Sequence, residues 1–193
     1  MALSLSKGQN LSLTKAAGPS GLRRVTIGLG WDARTTDGSE FDLDSSAIVV
    51  GADDRVLSEG HFVYFNQLTS SDGAVVHSGD NRSGEGEGDD EQITLDLAKM
   101  PPNADKVVVV VSIYDAESRR QSFGQVRRAY ARALNAENQE ELGRYDLSED
   151  AATETAMVFV EVYRNGEEWK LRAIGQGYAN GLAGVARDFG VNV

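Results

Sequence analysis

With 193 residues, 40% hydrophobic and 25% charged, the sequence has the make-up of one soluble globular domain, and no apolar run approaches the roughly 20 residues of a membrane span. It contains no cysteine and two histidines, which excludes disulfides, thiolate metal sites and thiol nucleophiles and disfavours a His-rich zinc site. A formal net charge of −11 makes nucleic acid a poor partner, and the amino-terminal MALSLSKGQN lacks the basic and apolar regions of a secretory signal, so the cytoplasm is the default location.

In chain order, the apolar segments are short, β-branched and separated by turn residues. Strands are predicted at 22–31 (LRRVTIGLGW), 46–52 (SAIVVGA), 61–66 (HFVYFN), 92–97 (QITLDL), 106–114 (KVVVVVSIY), 155–164 (TAMVFVEVYR) and 168–174 (EWKLRAI). Turn signals stand at Asp37-Gly38, Asp72-Gly73 and Asn165-Gly166. The last predicts a tight hairpin, in which Asn165 and Gly166 can supply two positive-φ residues. Val107 to Val111 is apolar without alternation, which suggests a strand covered on both faces. These features predict an all-β sandwich of two mainly antiparallel sheets with a few short helices.

The segment 126–142 satisfies two periods. Val126, Ala129, Tyr130, Ala133 and Leu134 have helical spacing, while Val126, Tyr130 and Leu134 also share one face of a strand; spacing alone favours helix slightly. Short helices are expected near Ser148–Thr153, behind a serine cap, and in NGLAGVARDFG, ending at Gly190. There is no domain linker and no internal repeat.

The negative charge is concentrated in two windows. Residues 79–91 (GDNRSGEGEGDDE) carry −5 and residues 32–44 carry −4, which is all but two units of the net charge. Such repulsion is tolerated if the windows stay apart, stay solvated or share a cation. Calcium takes six to eight oxygen ligands from carboxylates, amides, backbone carbonyls and water, and the 79–91 window offers them on a glycine-rich backbone. In FDLDSS, Asp42 and Asp44 share one face of an extended chain while Phe41 and Leu43 point into the core. Asp32 joins them if the strands at 22–31 and 46–52 are neighbours.

Known loop patterns fit poorly. Counted from Asp80, Glu91 falls at position 12 of an EF-hand, but Arg82 and Glu85 occupy positions 3 and 6, where a ligand and a glycine are needed. A phosphate-binding loop is excluded by the missing lysine and by the acidic charge. The plain alternative is a solvated acidic loop. His61 and His77 read as satisfied strand residues, Trp31 and Trp169 as core, Asp115 as a turn or core residue and SRRQS (118–122) as solvated surface.

FDLDSSAIVV, GDNRSGEGEGDDE with the following ITLDL, FGQVRRAY, RYDLSED and GQGYANGLAGVARDFGV together resemble the bacterial TerD family of tellurite-resistance and stress proteins, over nearly the whole chain. The resemblance implies a cytoplasmic, non-enzymatic calcium-binding β-sandwich holding two ions, with a peripheral place at the inner face of the membrane. It implies partners among related TerD-family proteins and a TerC-type membrane protein. The implied ligands come from Asp32, Asp42, Asp44, Asp80, Asn81, Asp89, Asp90 and Glu91, with backbone oxygens around Gly84 and Gly86. It also favours a strand at 126–134. Two other functions compete: a metal-dependent enzyme using the Asp42/Asp44 pair, and a calcium-dependent sugar-binding module. Without a thiol the chain cannot itself reduce or thiolate-bind tellurite, so any resistance is expected to be indirect.

Overall fold

β-Branched runs with a buried and a covered face build two six-stranded sheets. The computed structural model describes residues 2–33, 41–79, 88–147 and 153–192. In the first sheet the order is β1 (Leu3–Leu5), β10 (Glu141–Asp146), β9 (Val126–Asn135), β3 (Arg24–Ala33), β7 (Glu91–Asp96), β6 (Val75–His77). In the second it is β2 (Asn10–Ser12), β12 (Glu168–Tyr178), β11 (Ala156–Asn165), β8 (Lys106–Ile113), β4 (Leu43–Val50), β5 (Phe62–Val63). Among the described residues every pairing is antiparallel except β1 with β10. Helices are short: α1 (Leu13–Ala16), α2 (Ala116–Arg119) and α3 (Gly181–Asp188). Among the described residues no helix is long and apolar enough to cross a membrane.

The valine run is covered twice, as its lack of alternation implies. Val107, Val109 and Val111 enter the core between the sheets with Ile27, Leu29, Ile93 and Leu95. Val108 and Val110 lie in a second cluster with Ile48, Val50 and the α3 residues Val185 and Ala186. Each such side chain contributes about 1.5–3 kcal/mol on full burial. Gly190, at φ 75, follows α3 as expected of a helix stop.

Several expectations change. Residues 126–135 form a strand, as the resemblance implies, and not the helix their spacing slightly prefers, because β9 is paired on both sides, to β3 and β10. The 61–66 strand shrinks to Phe62–Val63, and His61 closes a short helical turn, bonded to Ser58 and Asp72. The hairpin between β11 and β12 forms, but its two-residue connection is Gly166 and Glu167, and of Asn165 and Gly166 only the glycine has positive φ, 62°. Asp37-Gly38 and almost all of the expected helix at 148–153 lie outside the described residues. The strands at 22–31 and 46–52 are not neighbours: β3 lies between β9 and β7 in the first sheet, and β4 between β8 and β5 in the second.

Candidate functional site

Both acidic windows join strands at the same end of the sandwich. The first separates the last residues of β3 from the first of β4, and the second separates β6 from β7; Leu29 on β3 pairs with Glu91 on β7. There, Asp89, Asp90 and Glu91 point three ways, because Asp89 and Asp90 lie in the bend before β7 begins at Glu91, outside the two-face alternation of a strand.

Asp89 lies on the outer face of the first sheet. Its Oδ1 accepts from Arg132 Nε at 2.8 Å and from the Tyr130 hydroxyl at 2.9 Å, while Oδ2 accepts from Arg132 Nη2 at 3.1 Å and Gln92 Nε2 at 3.0 Å. The Tyr130 hydroxyl is also 2.9 Å from the Gly88 carbonyl oxygen, Arg132 reaches Glu141 at 3.1 Å, and the Arg144 guanidinium stacks on the Tyr130 ring at 3.8 Å. Burial and the bond to Asp89 push the Tyr130 phenol up to about 12, and the same carboxylate raises Arg132. Beneath lies a floor without side chains. A Cβ on Gly28 would sit 2.0 Å from Asp89 Oδ2, and one on Gly30 would sit 2.4 Å from the Tyr130 ring. These glycines serve close approach and not unusual backbone angles.

Glu91 points inward and crosses to the second sheet. It is 2% exposed and accepts from the Ser45 N–H at 2.8 Å and from the Ser45 hydroxyl. His77 completes the buried group, with Nε2 2.8 Å from Ser45 Oγ and 3.1 Å from the Ser45 carbonyl oxygen. Its Nδ1 accepts from the Gly79 N–H at 2.9 Å, which leaves the ring proton on Nε2. A glutamate and a histidine of the first sheet are thereby tied to a serine of the second. Ser45 is fully buried, so this is a structural tie and not an exposed nucleophile.

Asp90 stands between these anchors. Its backbone N–H donates to the Leu29 carbonyl oxygen, and its Oδ2 takes the Trp31 N–H at 2.8 Å. Among the described residues Oδ1 accepts no hydrogen bond. Desolvation raises the Asp90 carboxyl above its ordinary value against the lowering effect of the Trp31 bond, and the charges of Asp32, Asp89 and Glu91 push it further the same way. Asp32 approaches through a bulge, where Gly30 pairs with Tyr130 but Asp32 with Arg127, and Arg128, at φ 51, reaches Asp32 at 3.5 Å.

The structure therefore places Asp32, Asp89 and Glu91 near enough to Asp90 for their charges to act on it, with their side chains directed apart. Asp42 and Asp44 alternate with the buried Phe41 and Leu43, as expected, and so share the outer face of the second sheet with Ile48. Asp32 follows the core residue Trp31 onto the opposite outer face, that of the first sheet. Asp80, Asn81, Gly84 and Gly86 lie outside the described residues. Among those described, no three His, Asp or Glu side chains close on one point as a ready-made cation cage. The donor set is nevertheless of calcium's kind, carboxylate oxygen with one Asp90 oxygen available.

Arg132, Tyr130, Gly28, Gly30 and Ser45 escape the sequence reading. A signal was there for the glycines, since Gly28-x-Gly30 inside a strand marks close approach by another group. For Ser45 nothing in the sequence tells it from any other strand serine.

Fold and site define an acidic-loop β-sandwich, with two carboxylate-rich connections at one end of a pair of packed sheets. The chain belongs to the TerD family: the TerD domain model matches residues 1–189. It is 56% identical over 192 residues to the tellurium resistance protein TerD of Serratia marcescens, covering 100% of this chain and 99% of the relative. It is 50% identical over 194 residues to general stress protein 16U of Bacillus subtilis (strain 168), covering both chains completely. A crystal structure of a homologue of the telluride resistance protein TerD from Streptomyces coelicolor A3(2) superposes with a TM-score of 0.70 at 27% identity, covering 86% of this chain and 96% of that one.

Proposed function

We propose that this tellurium-resistance and stress-response family member is a non-enzymatic calcium-binding protein whose interactions depend on the bound ion. The observation that carries the reading is the partly buried Asp90 carboxyl at the root of the acidic windows, with one oxygen on the Trp31 N–H, the other without a hydrogen bond among the described residues, and the charges of Asp32, Asp89 and Glu91 near enough to act on it. Like charges so arranged destabilise the empty protein and are relieved by a hard dication. The ligands would come from Asp32, Asp42, Asp44, Asp80, Asn81, Asp90 and Glu91, with carbonyl oxygens around Gly84 and Gly86. Calcium would supply charge neutralisation and a fixed loop geometry.

Two ions would take the formal charge from −11 to about −7. A face that repels anionic partners when empty could then pack against a second copy, a related family member or a TerC-type membrane protein at the inner face of the membrane. With no thiol in the chain, tellurite resistance would arise through such assemblies and not by direct reduction.

Calorimetric titration with calcium, with and without excess magnesium, tests the binding; saturable uptake that survives magnesium is expected, and no heat at any concentration removes the reading. Co-purification from cells in chelator and in calcium tests the interaction, with Asp80→Asn/Asp90→Asn as control. Partner recovery that is the same in all conditions would leave the ion as a structural staple.

A further inference from the structure

Building on the calcium reading, the geometry points to Asp89 as a positioning residue, not a ligand. We infer that Arg132 and Tyr130 fix its carboxylate on the Gly28–Gly30 floor so that the neighbouring Asp90 presents its oxygen to the cation. A carboxylate has about four lone-pair sites. Those of Asp89 are filled by Arg132 Nε, Arg132 Nη2, Tyr130 Oη and Gln92 Nε2, at 2.8, 3.1, 2.9 and 3.0 Å.

The side chain is also 1% exposed, and its charge is met by a two-pronged guanidinium. For calcium to coordinate Asp89 it would have to displace Arg132 and leave that arginine beside a dication. Asp90 differs on each point, with one oxygen on the Trp31 N–H and the other without a hydrogen bond among the described residues.

A division of labour follows. Asp89 grips the outer face of the first sheet and Glu91 the inner face of the second, and between them the backbone of Asp90 has little freedom left. Partners that orient ligands without touching the metal typically change affinity by roughly 10–100-fold when removed. Loss of a ligand itself removes an ion or most of its affinity.

The test uses the full chain with Asp89→Asn, Arg132→Gln, the double variant Asp89→Asn/Arg132→Gln and the milder Tyr130→Phe, which folds even if the charge variants do not. Two quantities are read: the unfolding midpoint in chelator, and the number of calcium ions bound per chain by calorimetry. Each single charge variant is expected to lower the midpoint, and the double variant to lower it by less than the sum. The ion count stays at the wild-type value in the double variant and in Tyr130→Phe, while affinity weakens by roughly 10-fold.

An ion missing from the double variant, or Asp89→Asn that keeps the wild-type midpoint in chelator while losing calcium, makes Asp89 a ligand and overturns the inference. If the wild-type chain takes up no calcium, the functional reading fails by itself. The anchor is then judged on the stability cycle alone, where strict additivity of Asp89→Asn and Arg132→Gln refutes it.

Discussion

Gly28→Ala changes one methyl group in the middle of β3, and the added Cβ would lie 2.0 Å from Asp89 Oδ2, 2.4 Å from its Cγ and 2.8 Å from its Oδ1. Backbone lies on both sides of Gly28, paired to Gln92 and Arg132, so the carboxylate must give way. Its departure breaks a two-pronged ion pair, the Tyr130 bond and the Gln92 bond. Breaking a buried pair costs about 3–5 kcal/mol. The Arg132 side chain is 27% exposed, so water recovers part of that, and the lower end applies. Replacing glycine in a strand returns about 0.5–1 kcal/mol of chain entropy, leaving a loss of about 2–3 kcal/mol. For a chain of this size that corresponds to a drop of about 4–12 °C in unfolding midpoint, measured by calorimetry in chelator. In an Asp89→Ala background, where nothing occupies the space, the same substitution should be neutral or stabilising. A wild-type midpoint for Gly28→Ala, or the same loss in both backgrounds, refutes the packing argument.

Asp90→Asn should raise stability at neutral pH in chelator while weakening calcium binding. A folded-state value raised above 3.8 gives stability that is present below that value and lost as pH rises through the raised one, so the ionised group is a liability at pH 7. Unfolding followed from pH 7 towards pH 4 should show the gap between variant and wild type closing; a variant less stable at pH 7 would contradict this. Glu91→Ala strands the Ser45 N–H and hydroxyl between the sheets and should cost about 3 kcal/mol or more in urea unfolding, with Glu91→Gln losing less because an amide oxygen still accepts. Calcium at 100 times its dissociation constant should stabilise the fold by about 2.7 kcal/mol per site, and an unfolding midpoint identical in calcium and chelator would count against binding to the native state.

The strands that sequence reading finds are those whose burial is written in residue type. β8 reads as two-faced because five consecutive valines need two apolar environments, and the inter-sheet core and α3 provide them. The β11–β12 hairpin is legible because Gly166 supplies the positive φ its turn needs. The acidic windows are legible too, since such like charge in glycine-rich sequence needs an explanation whatever the fold. β1, β2, β6 and β10 are missed; the first three have three residues each, too few to display a period, and exist only through the neighbours they pair with.

What only the tertiary structure decides is which residues meet. Val126, Tyr130 and Leu134 are four apart, a spacing that suits a helix turn and a strand face alike, and the tie is broken by β3 and β10 offering backbone partners on both sides. The acidic triplet shows the same limit. Asp89, Asp90 and Glu91 are nearly interchangeable as sequence, yet one is held outside by Arg132 on a glycine floor, one caps the Trp31 N–H, and one crosses the core to Ser45. Composition sets how much charge the loop root carries. The bend ahead of β7, which frees Asp89 and Asp90 from the two-face alternation that Glu91 obeys, sets what each carboxylate can do.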